Sequence, residues 1–130
     1  MYEKILIAAF TILFLLLFCN KALSADSLTG YLVDCDSVKS YRSAKNASEL
    51  VANYNRQNAL SESSKATGYV LYSDGKWFAL DKHGSELAGD VIRHSIKKKG
   101  FYVLVSGKLT DETIAVDSLT ELMDVPLRPH

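Results

Sequence analysis

Few side chains in this sequence are suited to chemistry, and their neighbours restrict what they can do. Of the two cysteines, Cys19 lies in an apolar N-terminal run, which leaves Cys35 between Asp34 and Asp36. A thiol attacks as its thiolate, and two flanking carboxylates disfavour that anion. No G-x-S-x-G turn is present to raise a serine as an alternative nucleophile. The histidines His83, His94 and His130 have no i,i+4 partner and no cysteine at ligand spacing, whereas structural zinc takes four ligands. Asp81 and the pair Asp111-Glu112 are the obvious carboxylates, but acidic residues are common in turns and nothing aims two of them into one cleft. The expectation is a protein with no catalytic residue, no metal and no cofactor.

Aromatic residues make the stronger signal. Tyr69, Tyr72, Trp77 and Phe78 fall on two short apolar runs, and flat ring ligands such as bases stack on such rings. Strand alternation would put Tyr69 with Leu71 on one face and Tyr72 with Val70 on the other, and would split Trp77 from Phe78. At most half of these rings can therefore be exposed. Tyr72 and Trp77, with Lys76 at the turn, are the candidate binding residues. Other cations are Lys65, Lys82 and the run Lys97–Lys99, which reads as the cationic last turn of a helix.

The elements that would position these residues follow from pattern. Ser27–Cys35 is a first strand, with Gly30 marking a bulge or bend. Polar residues from Asp36 read as a loop. A helix follows from Asn46 to about Leu60, with Glu49 as capping-box partner and Leu50, Val51 and Tyr54 as its stripe. Asn46-Ala47-Ser48 also matches a glycosylation acceptor, but helix capping explains it more simply. Ser61–Lys65 reads as a linker. Thr67–Tyr72 and Lys76–Asp81 form a hairpin about Asp74-Gly75, a pair suited to a type I′ turn because both residues tolerate positive φ. Lys82–Gly84 closes that strand, and Ser85 caps a helix from Glu86 to about Lys98, stopped by Gly100. Leu87, Val91 and Ile96 mark the apolar face of that helix. Phe101–Leu109 and Thr113–Leu119 are the last two strands, joined by a turn at Asp111-Glu112.

Five strands with a helix between the third and fourth is the order of an OB-fold, a mainly β five-stranded barrel, here with a helical insertion between strands one and two. The alternative is a small α+β antiparallel sheet with helices on one face. Domain boundaries follow: a signal peptide at 1–25, a single OB-fold-like domain at 26–125, and a C-terminal tail at 126–130. The leader has a lysine at position 4, an uncharged run Ile5–Cys19 and small residues at Ala22, Ser24 and Ala25, the parts of a secretory signal. Cleavage would follow Ser24 or Ala25. A retained anchor is the alternative, though the run is shorter than the roughly 20 residues a spanning helix needs. Phe18 before Cys19 is too bulky for a lipoprotein signal. Lys+Arg and Asp+Glu each number 15, so no net charge favours a polyanionic partner such as nucleic acid.

The stretches "TGYLVDC", "ATGYVLYSDGKWFALDKHG" and "VLVSGKLTDETIAVDSL", in that order, resemble a group of small exported bacterial proteins of unknown function with an OB-fold-like architecture. The resemblance covers most of the mature chain and implies a fold and an address. Members of that group often carry cysteines and a histidine between the first two strands. Here Asp36–Lys65 holds neither, so no metal or disulfide role carries over.

The expected function is an exported, periplasmic or secreted, non-catalytic binding or interaction module of the bacterial envelope. Its partner would be an envelope protein or a small ligand, and the membrane would be met only through an uncleaved signal segment. One alternative is a thiol-dependent role, with Cys35 in a redox or intermolecular disulfide. Another is binding of oligosaccharide or nucleic acid through the aromatic face of strands two and three.

Overall fold

The computed structural model describes residues 26–123, so the expected signal peptide at 1–25 and the expected tail at 126–130 lie outside the described residues. Five strands close a barrel: β1 (Asp26–Asp34), β2 (Tyr69–Ser73), β3 (Lys76–Leu80), β4 (Tyr102–Thr110) and β5 (Thr113–Glu121), in the order β1-β2-β3-β5-β4. The pairs are antiparallel except β3 with β5, which run parallel. That connectivity is OB-fold-like, and closure excludes the flat α+β sheet.

Two local features close the ring. β1 pairs with β4 over Asp26–Tyr31 and with β2 over Tyr31–Asp34, so it changes partner at Tyr31. Gly30 is the bend the sequence marks: a Cβ there would run into the Tyr72 carbonyl. At the other seam, β3 meets β5 at only two register positions, Ala79 with Thr113 and Leu80 with Ile114. The strands diverge before Ala79, and that divergence opens the cleft described below. Asp74 and Gly75 have φ of 49° and 78°, as a type I′ turn demands. The barrel interior is filled by Leu32, Leu71, Phe78, Val103, Val105, Ile114 and Val116, all buried.

The helices depart from the pattern reading. The segment after Asp34 is α1 (Cys35–Arg42), not a loop. Asp34, the last residue of the strand, is also its N-cap and accepts from Ser37 N at 2.8 Å, so the cap signal is hidden inside a strand signal. The single helix from Asn46 is instead α2 (Ala47–Ala52) and α3 (Arg56–Ala59), and the linker is α4 (Glu62–Thr67). Asparagine side chains compete with the helical ladder. Asn55 Oδ1 takes the Asn58 amide at 2.8 Å and restarts the chain as α3. Asn46 occupies the N-cap of α2 but makes no side-chain cap bond.

The last helix, α5 (Lys82–His94), starts earlier than expected. Asp81 is its cap, accepting from Gly84 N at 2.8 Å, so Lys82–Gly84 belongs to the helix rather than to β3. Ser85 lies inside the first turn, where its Oγ accepts the Tyr69 amide at 3.1 Å. The helix stops at His94. Lys97–Lys99 and Ile96 therefore lie beyond it, and Ile96 is 82% exposed instead of packed. The Arg56 guanidinium donates to the Ser95 and Lys97 carbonyls and holds this connection.

Candidate functional site

The short hairpin fixes where the candidate residues go. Its register pairs Ser73 with Lys76, Tyr72 with Trp77 and Leu71 with Phe78. Paired residues point to the same side of the sheet, so Leu71 and Phe78 enter the core while Tyr72 and Trp77 face outward. The Tyr72 and Trp77 rings lie 4.6 Å apart, tilted by 56°. Both are half-buried, and Lys76 is exposed at the tip.

Trp77 and Lys76 line a cleft of about 690 Å³ where β3 parts from the β4–β5 turn. Three other parts of the chain complete it: Arg42 from the end of α1, Leu109 from β4, and the turn residues Asp111 and Glu112. Leu109 and Phe78 supply apolar wall, and Arg42, Lys76, Asp111 and Glu112 supply a charge-balanced polar rim. The volume falls in the range of small-molecule sites, which combine apolar walls with a few placed polar groups. Tyr72 is not part of the lining; it backs Trp77 from the neighbouring strand.

The sequence singles out Trp77, Lys76 and Tyr72, and the structure brings the three together. It adds Arg42, Leu109 and Glu112. Arg42 escapes a pattern reading because α1 is taken for a loop, and Glu112 because a turn accounts for it. The only usable signal for Glu112 is topological: in an OB barrel the β4–β5 loop borders the face of strands two and three.

Cys35 is elsewhere. It is the first residue of α1, partly buried, with its amide bonded to the Gly68 carbonyl at 3.1 Å. Burial, then the Asp34 and Asp36 carboxylates, push its thiol pKa up, so the thiol form is favoured. His83 and His94 are exposed, and His94 Nδ1 lies 2.9 Å from the Asp90 carbonyl of its own helix. His130 falls outside the described residues. Among the described residues, no three histidine, cysteine or acidic side chains gather as metal ligands.

A second cleft, of about 590 Å³, runs between α4, the start of β2 and α5, with Lys65, Lys82 and Arg93 on its walls. Its central polar groups are already engaged. Asp81 caps α5, Ser85 Oγ holds Tyr69 N, and the Tyr69 hydroxyl donates to the Ala59 carbonyl at 2.6 Å. This cleft reads as the seam between insertion and barrel.

The chain matches no family model, no curated protein and no solved structure. Its functional reading therefore rests on the geometry of the cleft beside Trp77.

Proposed function

We propose that this protein is a small non-catalytic binding module, exported to the bacterial envelope as its leader implies, that engages its ligand at the cleft around Trp77. One observation supports this above the others: α1, the β2–β3 hairpin, β4 and the β4–β5 turn converge on a single half-exposed indole with charged groups of both signs around it. Binding is favoured over catalysis by the state of the reactive groups. The one thiol in the domain is held toward its protonated form, and the cleft carboxylates sit in adjacent positions on one open turn. The same raised thiol pKa counts against the thiol-dependent reading.

The test compares wild type with a Tyr72→Ala/Trp77→Ala double variant in native mass spectrometry against neutral sugars, short peptides and nucleotides. Complexes seen with wild type should vanish in the variant. Complexes that persist in a variant retaining the wild-type circular dichroism spectrum would place the binding site elsewhere.

A further inference from the structure

The strand registers extend the aromatic surface well past the hairpin. Tyr102 on β4 pairs with Tyr31 on β1, Tyr31 pairs with Tyr72 on β2, and Tyr72 pairs with Trp77 on β3. Four aromatic residues thus stand side by side in one row crossing four adjacent strands. The residues next to three of them along the chain, Leu32, Leu71 and Phe78, are buried in the core, so the row looks outward. Tyr31 and Tyr102 meet edge-on with centroids 5.0 Å apart, and the Tyr102 hydroxyl donates to Thr29 Oγ1 at 3.0 Å. Tyr102 is nearly covered, while Tyr31, Tyr72 and Trp77 are each partly exposed. At about 4.8 Å per strand the three part-exposed residues span about 10 Å, more than one sugar ring.

Cross-strand aromatic pairs stabilise sheets by themselves, so the row alone does not specify a ligand. Its surroundings do. The row carries no cation, and the cleft at its Trp77 end sets Arg42 and Lys76 against Asp111 and Glu112. Affinity for nucleic acid grows with the number of phosphates neutralised, and two carboxylates at the end of the track repel a phosphate chain. Sugar hydroxyls both donate and accept, so guanidinium, ammonium and carboxylate groups can all bond to them. The C–H faces of the sugar can meanwhile lie on the exposed rings.

We infer that the ligand is an uncharged oligosaccharide lying across β1, β2 and β3 along Tyr31, Tyr72 and Trp77, with one end in the Trp77 cleft. This rests on the binding-module reading and names the ligand class for the same site. The chain has one tryptophan, so its emission reports occupancy directly.

The experiment titrates the protein with β-1,4-linked N-acetylglucosamine and glucose oligomers of one to six rings, and separately with a dT12 oligonucleotide and an alanine tetrapeptide. Affinity should rise with sugar length, flatten near three rings, and fall about tenfold or more in Tyr72→Ala, the scale of one lost stacking contact. Trp77→Phe, followed by calorimetry, should retain part of the affinity that Trp77→Ala loses. A length series in wild type needs no variant, so a misfolded mutant does not obscure the result. Sugar binding independent of length and of Tyr72 would overturn the row. No sugar response up to about 10 mM, where any specific contact should register, would overturn the ligand class. A response to dT12 or the peptide alone would overturn the sugar but leave the binding module standing. If no probe of any class perturbs Trp77, both readings fall.

Discussion

Asp34 shows how much one side chain does in this fold. It is 2% exposed and receives the Ser37 amide and hydroxyl at 2.8 and 2.9 Å, together with the Tyr54 hydroxyl. Strand end, helix start and insertion are thereby tied at one carboxyl group. Tyr54→Phe removes one donor from a buried acceptor that keeps two, and the acceptor of the Asp34 amide, so it should lower stability by about 1–2 kcal/mol, read from chemical denaturation. Burial, then the hydrogen bond to Asp34, push the Tyr54 pKa far above the usual tyrosine range, and burial raises Tyr69, Tyr31 and Tyr41 as well. A phenol whose pKa is raised on folding stabilises the fold below the unfolded value of about 10, and that contribution is lost as pH rises toward the folded one. The melting temperature should therefore fall above about pH 10, and less steeply in Tyr54→Phe. An unchanged alkaline slope in that variant would contradict the assignment. The Cys35 thiol is likewise raised, so alkylation by iodoacetamide should be slower than that of a free thiol at pH 8 and keep accelerating above pH 9. Alkylation as fast as glutathione's at pH 7 would show that the thiolate is stabilised after all.

At the scale of elements, the strands are legible in the sequence, as is the start of α2 at Asn46, but the starts of α1 and α5 are not. The two turns lie where Asp74-Gly75 and Asp111-Glu112 predict, because strand ends are marked by residues that tolerate unusual φ: Asp74, Gly75 and Asp111 all have positive φ. Those two starts are hidden because each cap is an aspartate at a strand end: Asp34 is the last residue of β1, and Asp81 follows directly on β3. At α5, Ser85 then looks like the better cap, and at α1 the polar residues after Asp34 look like a loop. Asp81→Ala removes the bonds to Gly84 N and Val116 N and should cost about 1 kcal/mol or somewhat more. No measurable loss from Asp81→Ala would contradict that cap. Gly84 makes a sharper case. Alanine is the better helix former by about 1 kcal/mol, but a Cβ at this position would collide with Val116 on β5. Gly84→Ala should therefore destabilise the protein, and a gain in stability would show that α5 does not pack so closely on the barrel.

At the scale of the molecule, the residues that line the cleft lie far apart in sequence and meet only because the barrel closes. Trp77 and Tyr72 stand out in the sequence as exposed-face aromatics on a hairpin. Arg42, Leu109 and Glu112 do not, since only the β1-β2-β3-β5-β4 ring brings α1 and the β4–β5 turn to that hairpin. Tyr31 and Tyr102 are equally invisible without the register that aligns them. Export is a separate whole-chain expectation: protein recovered from an expressing bacterium should begin at Ala25 or Asp26 by intact mass, and a mass retaining Met1 would contradict cleavage. The central claim concerns the Trp77 cleft, and it can be probed without knowing the ligand. Small organic probes collect where apolar wall and polar rim coincide. Titrating isotope-labelled protein with phenol and isopropanol, and following amide and indole shifts, locates that place. The account predicts that the Trp77 indole N–H and the amides of Lys76, Leu109 and Glu112 move together and first. Shifts centred instead on Ser85 and Arg93, with the indole unmoved, would contradict it.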